Sequence, residues 1–200
     1  MLLIQLSGPP GVGKSTLARN LSQALKSTIS VNHDILKSFF LKNSSPFTDA
    51  SKLAYSLQFT LIEDILKQGS LNVIIDSTCN YSETLESGMG LALKYGYKYL
   101  YVECRVTDID TLDRRLRERA GVALRSQRTG VNRPPEGCGI GNTEAENREL
   151  FKRWIENPCR PSDRGLIIVV DTTRPPEECV ECVLRQVDEL VGATKEVETE

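Results

Sequence analysis

Gly8-Pro9-Pro10-Gly11-Val12-Gly13-Lys14-Ser15-Thr16 decides how this 200-residue chain folds. Before it lies the apolar run 2–6. After it, residues 14–26 set Leu17, Ala18, Leu21, Ala24 and Leu25 on one helical stripe. A strand, a glycine-rich turn and a helix therefore stand in order, with the spacing G-x-x-x-x-G-K-[ST]. Gly8, Gly11 and Gly13 permit a backbone whose N–H groups converge on an anion, and the helix opening at Gly13 adds the partial positive charge of its N-terminus. The whole stretch from Gly8 to Thr16 is expected to cradle nucleotide phosphates. Lys14 would reach the β- and γ-phosphates, and the Ser15 hydroxyl would ligate Mg2+.

Four more β-branched or aliphatic runs, 28–31, 72–75, 98–102 and 166–170, read as buried strands. Their continuous apolar character suits a parallel sheet covered on both faces. Helical patterns lie between them. Leu53, Leu57, Leu61 and Ile65 repeat every four residues within 49–68, which stops at Gly69. Ile109, Leu112 and Leu116 form a further stripe. Thr143-x-x-Glu146 predicts a capping box ahead of Leu150, Phe151 and Trp154, and Pro175 opens a last helix carrying Val180, Val183, Leu184 and Val187 until Gly192. Strands alternating with helices predict a doubly wound α/β sheet of five parallel strands. One domain is expected over 1–192, with 193–200 a disordered tail. The segment 121–142, rich in Gly, Pro and Arg, reads as part of a lid spanning roughly 108–142.

Composition narrows the function classes. At this length roughly 70% of the unfolded chain's surface can be buried, so the fold needs no staples. Six scattered cysteines read as reduced thiols, Cys179-x-x-Cys182 included, since no second pair accompanies it. No run is long enough to span a bilayer, and the N-terminus lacks a basic leader pattern, so a cytoplasmic protein without a membrane partner is expected. A net charge of −2 argues against a wholly nucleic-acid-binding surface. Locally, however, eight arginines between Arg105 and Arg133 outnumber four acids, and that stretch holds no lysine.

The run 72–75 ends in Asp76, a carboxylate at the end of an apolar strand. This is the Walker-B arrangement, which would hold Mg2+ directly or through water. A GTPase switch is excluded, because Asp76 is followed by Ser-Thr-Cys and no [NT]-K-x-D motif occurs. Taken in order, the phosphate loop, the acid Asp34 after the second strand, Asp76-Ser77-Thr78 after the third, the arginine-rich helix and the terminal Asp171-Thr172-Thr173-Arg174-Pro175 resemble one group of enzymes. These are the small P-loop kinases that include polynucleotide 5′-hydroxyl kinases, chloramphenicol phosphotransferase-like enzymes and zeta-toxin-type kinases. The resemblance covers most of the chain.

It implies a P-loop NTPase fold of kinase-type sheet order 2-3-1-4-5, with ATP and Mg2+ as cofactors. The γ-phosphoryl group would pass to a hydroxyl of a small-molecule acceptor. Asp34 would accept the hydroxyl proton, although it is equally placed to cap the helix that follows. Arginines of the lid, Arg115 and Arg119 on one helical face and Arg125 and Arg128 beyond it, would neutralise charge in transfer. Thr172 and Arg174 would flank the adenine, while Asn80 and Tyr81 are candidates for the acceptor pocket. His33, beside the site, could contact substrate, but reads first as a surface or packing residue. Three alternatives stay open: a polynucleotide 5′-hydroxyl kinase, an ATP hydrolase or regulatory ATP-binding module, and a structural nucleotide-binding relic.

Overall fold

The computed structural model describes residues 1–43, 45–139, 143–162 and 166–197. Each apolar run becomes a strand: β1 (Leu2–Ser7), β2 (Thr28–Asn32), β3 (Asn72–Asp76), β4 (Lys98–Arg105) and β5 (Leu166–Asp171). They form one sheet of order β2-β3-β1-β4-β5, and every neighbouring pair is parallel. The expected fold class and sheet order are those observed.

Alternate residues of β1 serve opposite faces, as strand geometry requires. Leu2, Ile4 and Leu6 join one core with Leu17 and Leu21 of α1 (Lys14–Ala24) and with Val180, Val183 and Val187 of α7 (Pro176–Val197). Leu3 joins the other with Ile62 and Leu66 of α3 (Phe47–Gln68) and Ala92 of α4 (Ser82–Tyr95). Between α1 and α3, the short α2 (His33–Lys42) follows β2 directly. Beyond β4 come α5 (Ile109–Glu118) and α6 (Glu144–Glu156), the latter opened by the expected Thr143/Glu146 capping box.

Several expectations need correction. The inward face of α3 is Ala50, Ala54, Gln58, Ile62 and Leu66, one position on from the leucine stripe, while Leu53 and Leu61 are 45% and 40% exposed. Both sets repeat every four residues, and the small alanines let α3 sit close to its neighbours. Ala24 of α1 is likewise exposed. The helix α4 had no legible stripe, because its inner face holds Thr84 and Gly88, facing Gln5 of β1. Gln5 is fully buried; its Nε2 donates to the Thr84 carbonyl at 3.0 Å and its Oε1 accepts from Tyr99 at 2.7 Å. A Cβ on Gly88 would lie 2.0 Å from that Oε1. Finally, α7 continues through Gly192 to Val197, since the residues after Gly192 are compatible with a helix; positions 198–200 of the expected tail lie outside the described residues. Among the described residues no helix is long and apolar enough to cross a membrane.

Candidate active site

The C-terminal ends of the strands open into a cleft of about 1160 Å³. A parallel sheet places ligands at this edge, where loops from neighbouring strands converge. The first of these loops joins β1 to α1. Gly8 takes φ 131° and Gly11 φ 84°, both outside the range comfortable for other residues. Space is also closed to a side chain: a Cβ on Gly8 would lie 2.5 Å from the Cys104 carbonyl oxygen, and one on Gly11 3.1 Å from that of Leu112. The loop is therefore pinned between β4 and α5. Lys14 opens α1, buried, and its Nζ donates to the carbonyls of Gly8 at 2.7 Å and Pro9 at 3.0 Å. Burial lowers its pKa, opposed by Cys104, Asp76 and Asp34.

Ser15 and Asp76 meet through Asn32. Asn32 ends β2 opposite Asp76 in the sheet register, and its Nδ2 donates to Asp76 Oδ2 and, at 3.4 Å, to the Ser15 hydroxyl. Its Oδ1 accepts from the Ile35 N–H at 3.1 Å. Asn32, not Asp34, therefore caps α2. Burial pushes the Asp76 carboxyl up, against the downward pull of the Ser15 and Asn32 hydrogen bonds and of Lys14. A buried carboxylate beside a hydroxyl is a hard oxygen donor set that favours a divalent cation such as Mg2+.

Asp34 sits in the first turn of α2 and faces the cleft. Gln127 Nε2 donates to its Oδ2 at 2.8 Å, and the Ser126 hydroxyl lies 3.3 Å from its Oδ1. The same hydroxyl donates to the Asp34 carbonyl at 3.0 Å and is bound to Ser38 at 2.9 Å. These contacts dock the segment after α5 onto α2. Positions 140–142 of that stretch lie outside the described residues. What is described is a packed cover: Ser126, Arg128 and Val131 are buried. Neither Ser126 nor Gln127 carried a sequence signal, because about ninety positions separate them from Asp34. Asn32 could have been found from its place at the strand end, beside the acid that ends β3.

The arginines do not form one free basic face. Arg114 and Arg117 pair along α5 with Glu118 at 3.9 Å and Asp113 at 2.5 Å. Arg115 donates to the carbonyls of Val12 at 3.4 Å and Thr172 at 2.7 Å, bracing the phosphate loop against the turn after β5. Arg128 is turned onto Val131 and Asn147 and lies over the Phe151 ring. Arg125 is exposed and is not among the cleft's lining residues. Arg119 lines the cleft, donates to the Arg128 carbonyl at 3.3 Å, and keeps a buried Nε that has no partner among the described residues.

Thr172 is buried and donates to the Val12 carbonyl at 2.6 Å; Arg174 lines the cleft near Glu178. Asn80 and Tyr81 line it on the opposite side. His33 is buried at 6% exposure and stacked on Tyr55, 3.9 Å between ring centroids, so it is a packing residue and not a surface one. Burial lowers its pKa to about 4.

A family model described as an AAA domain matches residues 3–131. Among solved structures, the chain is similar to a provisionally assigned kinase from Chloroflexus aurantiacus, with a TM-score of 0.70 and 19% identity over 94% of this chain and 96% of that one. It is also similar to a gluconokinase from Sinorhizobium meliloti, with a TM-score of 0.59 and 16% identity over 96% and 95% of the two chains. At these identities the likeness is one of fold.

Proposed function

The chain belongs to the AAA domain family, and from that premise we propose that it is an ATP-dependent kinase transferring the γ-phosphoryl group to a hydroxyl of a small molecule. One observation carries the reading. A carboxylate held by neutral donors, Asp34, shares a single cleft with the phosphate loop, Lys14 and the Ser15–Asp76 pair. A loop built only to bind nucleotide has no use for an oriented base across the cleft.

Residues 8–16 hold the triphosphate through backbone N–H groups, and Lys14 exchanges the Gly8 and Pro9 carbonyls for phosphate oxygens. The Ser15 hydroxyl and Asp76 would hold Mg2+, which when bound neutralises phosphoryl oxygens. Asp34 accepts the acceptor's proton as its oxygen bonds to the γ-phosphorus, and the bond to the β-phosphate oxygen breaks to release ADP. Arg119, with its unused Nε, is the arginine assigned to the transferred charge, whereas Arg115 positions the loop. The cover formed by Ser126 and Gln127 orients Asp34 and keeps water from the site. The resemblance to polynucleotide, chloramphenicol and zeta-toxin-type kinases fits this reading. Within it a polynucleotide acceptor is the weaker variant, since four of the eight arginines that suggested it, Arg114, Arg115, Arg117 and Arg128, are paired with acids or held by other groups of the fold.

The test is ADP release from Mg·ATP, alone and with pooled sugars, nucleosides, hydroxy acids, amino alcohols and 5′-hydroxyl oligonucleotides. At least one pool raises the rate well above background. Lys14→Ala abolishes it, and Asp34→Asn keeps ATP binding while lowering transfer by about 10²–10⁴-fold. Near-normal transfer by the Asp34→Asn protein would remove the base assignment. A flat response across every pool would turn the reading to a hydrolase or regulatory module.

A further inference from the structure

Lys37 is a cation of the cleft that the proposed transfer leaves unused. It lies three residues after Asp34 on α2, so the two side chains share a helix face, and both line the cleft. Its ammonium stands 3.6 Å from the centre of the Phe47 ring. Among the described residues, no carboxylate or hydrogen-bond acceptor reaches it. Phe47 is itself half-buried, with Gly137 close against its Cβ. Burial lowers the Lys37 pKa, while Asp34 opposes that shift. A half-buried ammonium with an aromatic face for company has lost water without gaining a counter-ion, and an anionic ligand group would supply one.

The surroundings limit what that anion belongs to. Ser51, Tyr55 and Asn80 line the same side of the cleft, offering hydroxyl and amide groups. Outward, between α3 and α4, runs a groove of about 1100 Å³ that shares Phe47, Ser51, Tyr55 and Tyr81 with the cleft. Its charged lining is Glu63, Glu83 and Glu86 against Lys52 and Lys94, and Lys94 is held by Glu63 at 2.8 Å. A polyanion leaving by this groove would meet excess negative charge.

Resting on the kinase reading above, we propose that the acceptor is a small hydroxy acid, with its hydroxyl at Asp34 and its carboxylate bound by Lys37. Side chains three apart on a helix start about 5–6 Å from one another, so the two groups belong to one compact molecule, a few bonds apart.

Matched acceptors test this directly: glycolate, glycerate, threonate and gluconate, each against its uncharged amide, with 5′-hydroxyl oligonucleotides as a further arm. The readout is ADP release by the full chain with Mg·ATP. An acid is preferred over its amide by about 10–100-fold in kcat/KM, the range expected for a charge-assisted hydrogen bond. In Lys37→Met that ratio falls toward one, and in Lys37→Arg it is largely kept. Because both acceptors are measured on one preparation, the ratio is insensitive to the folded fraction. Preference for the oligonucleotides would overturn the inference and turn the reading to its polynucleotide variant. Preference for the amides would overturn the inference and leave the kinase reading intact. So would an acid preference that survives Lys37→Met. No stimulation by any acceptor would overturn the kinase reading and the inference with it.

Discussion

His33 shows what tertiary packing does to a residue that the sequence leaves neutral in meaning. Its ring is stacked on Tyr55 beside Asp34, with Nδ1 buried and unpartnered among the described residues. Burial lowers its pKa to about 4 from 6.5; Asp34 opposes the shift and Lys37 adds to it. As pH falls below about 6.5 the unfolded chain takes up a proton that the folded chain refuses until about 4. His33 stability is thus complete above that window and lost progressively through it, by at most about 3 kcal/mol. Urea midpoints at pH 7 and pH 5 check this. The wild-type protein loses more than His33→Phe, which keeps a ring but cannot titrate, and equal losses would refute the assignment. Asn32 makes the complementary point. One amide caps α2 and binds both Ser15 and Asp76, so local helix chemistry and the candidate metal site depend on the same side chain.

Elements differ in how clearly they announce their buried face. In α3 two four-residue repeats run side by side, and the larger leucines belong to the outward one. Ile62→Ala therefore costs about 2–5 kcal/mol, whereas Leu61→Ala costs less than about 1 kcal/mol. Urea unfolding of the two variants measures this, and a reversed order would restore the leucine stripe as the core face. For α4 the packing device is an absence of side chain. Gly88→Ala drives a methyl group against Gln5 and costs about 1–3 kcal/mol by overpacking, although alanine is the better helix former. A neutral or stabilising result in thermal melts would show that Gln5 has room to move.

At the scale of the molecule, one sheet packs a core on each face, and the cleft at the C-terminal ends of its strands gathers the phosphate loop, Asp34, Asp76 and Arg119. We take residues 1–192 as one cooperative unit. Trp154, the sole tryptophan, lies in α6 at the far side of the cleft, so its fluorescence and far-UV circular dichroism should report coincident urea transitions. A separate early fluorescence transition would make the covering region a unit of its own. Charge is distributed to similar effect. Among the described residues, Arg114, Arg117 and Arg148 are paired with acids and Arg115 and Arg128 are held by carbonyls and Asn147, so much of the basic cluster is already engaged. Acceptor-stimulated turnover should change less than about tenfold between 50 and 200 mM salt. A polynucleotide acceptor held through many phosphates would give about 10³–10⁵-fold.

Strand positions, helix alternation and the phosphate loop were all legible in the chain itself, whereas the sheet order came only from the resemblance to the small P-loop kinases. Each depends on residues close in sequence: apolar runs, glycines at fixed offsets, and a lysine and a hydroxyl opening a helix. Asp76 was legible for the same reason, as the acid ending a strand. What the chain did not disclose depends on pairs far apart. Gln127 and Ser126 reach Asp34 across some ninety positions, Gln5 chooses Gly88 as its neighbour, and Arg115 and Arg119 share one helical face yet bind different things. Local spacing fixes which way a side chain leaves its own element. Only the packing of elements against one another fixes what it meets there, and that decided what each arginine of the cleft binds, that the Lys37 ammonium meets the Phe47 ring and which face of α3 is buried.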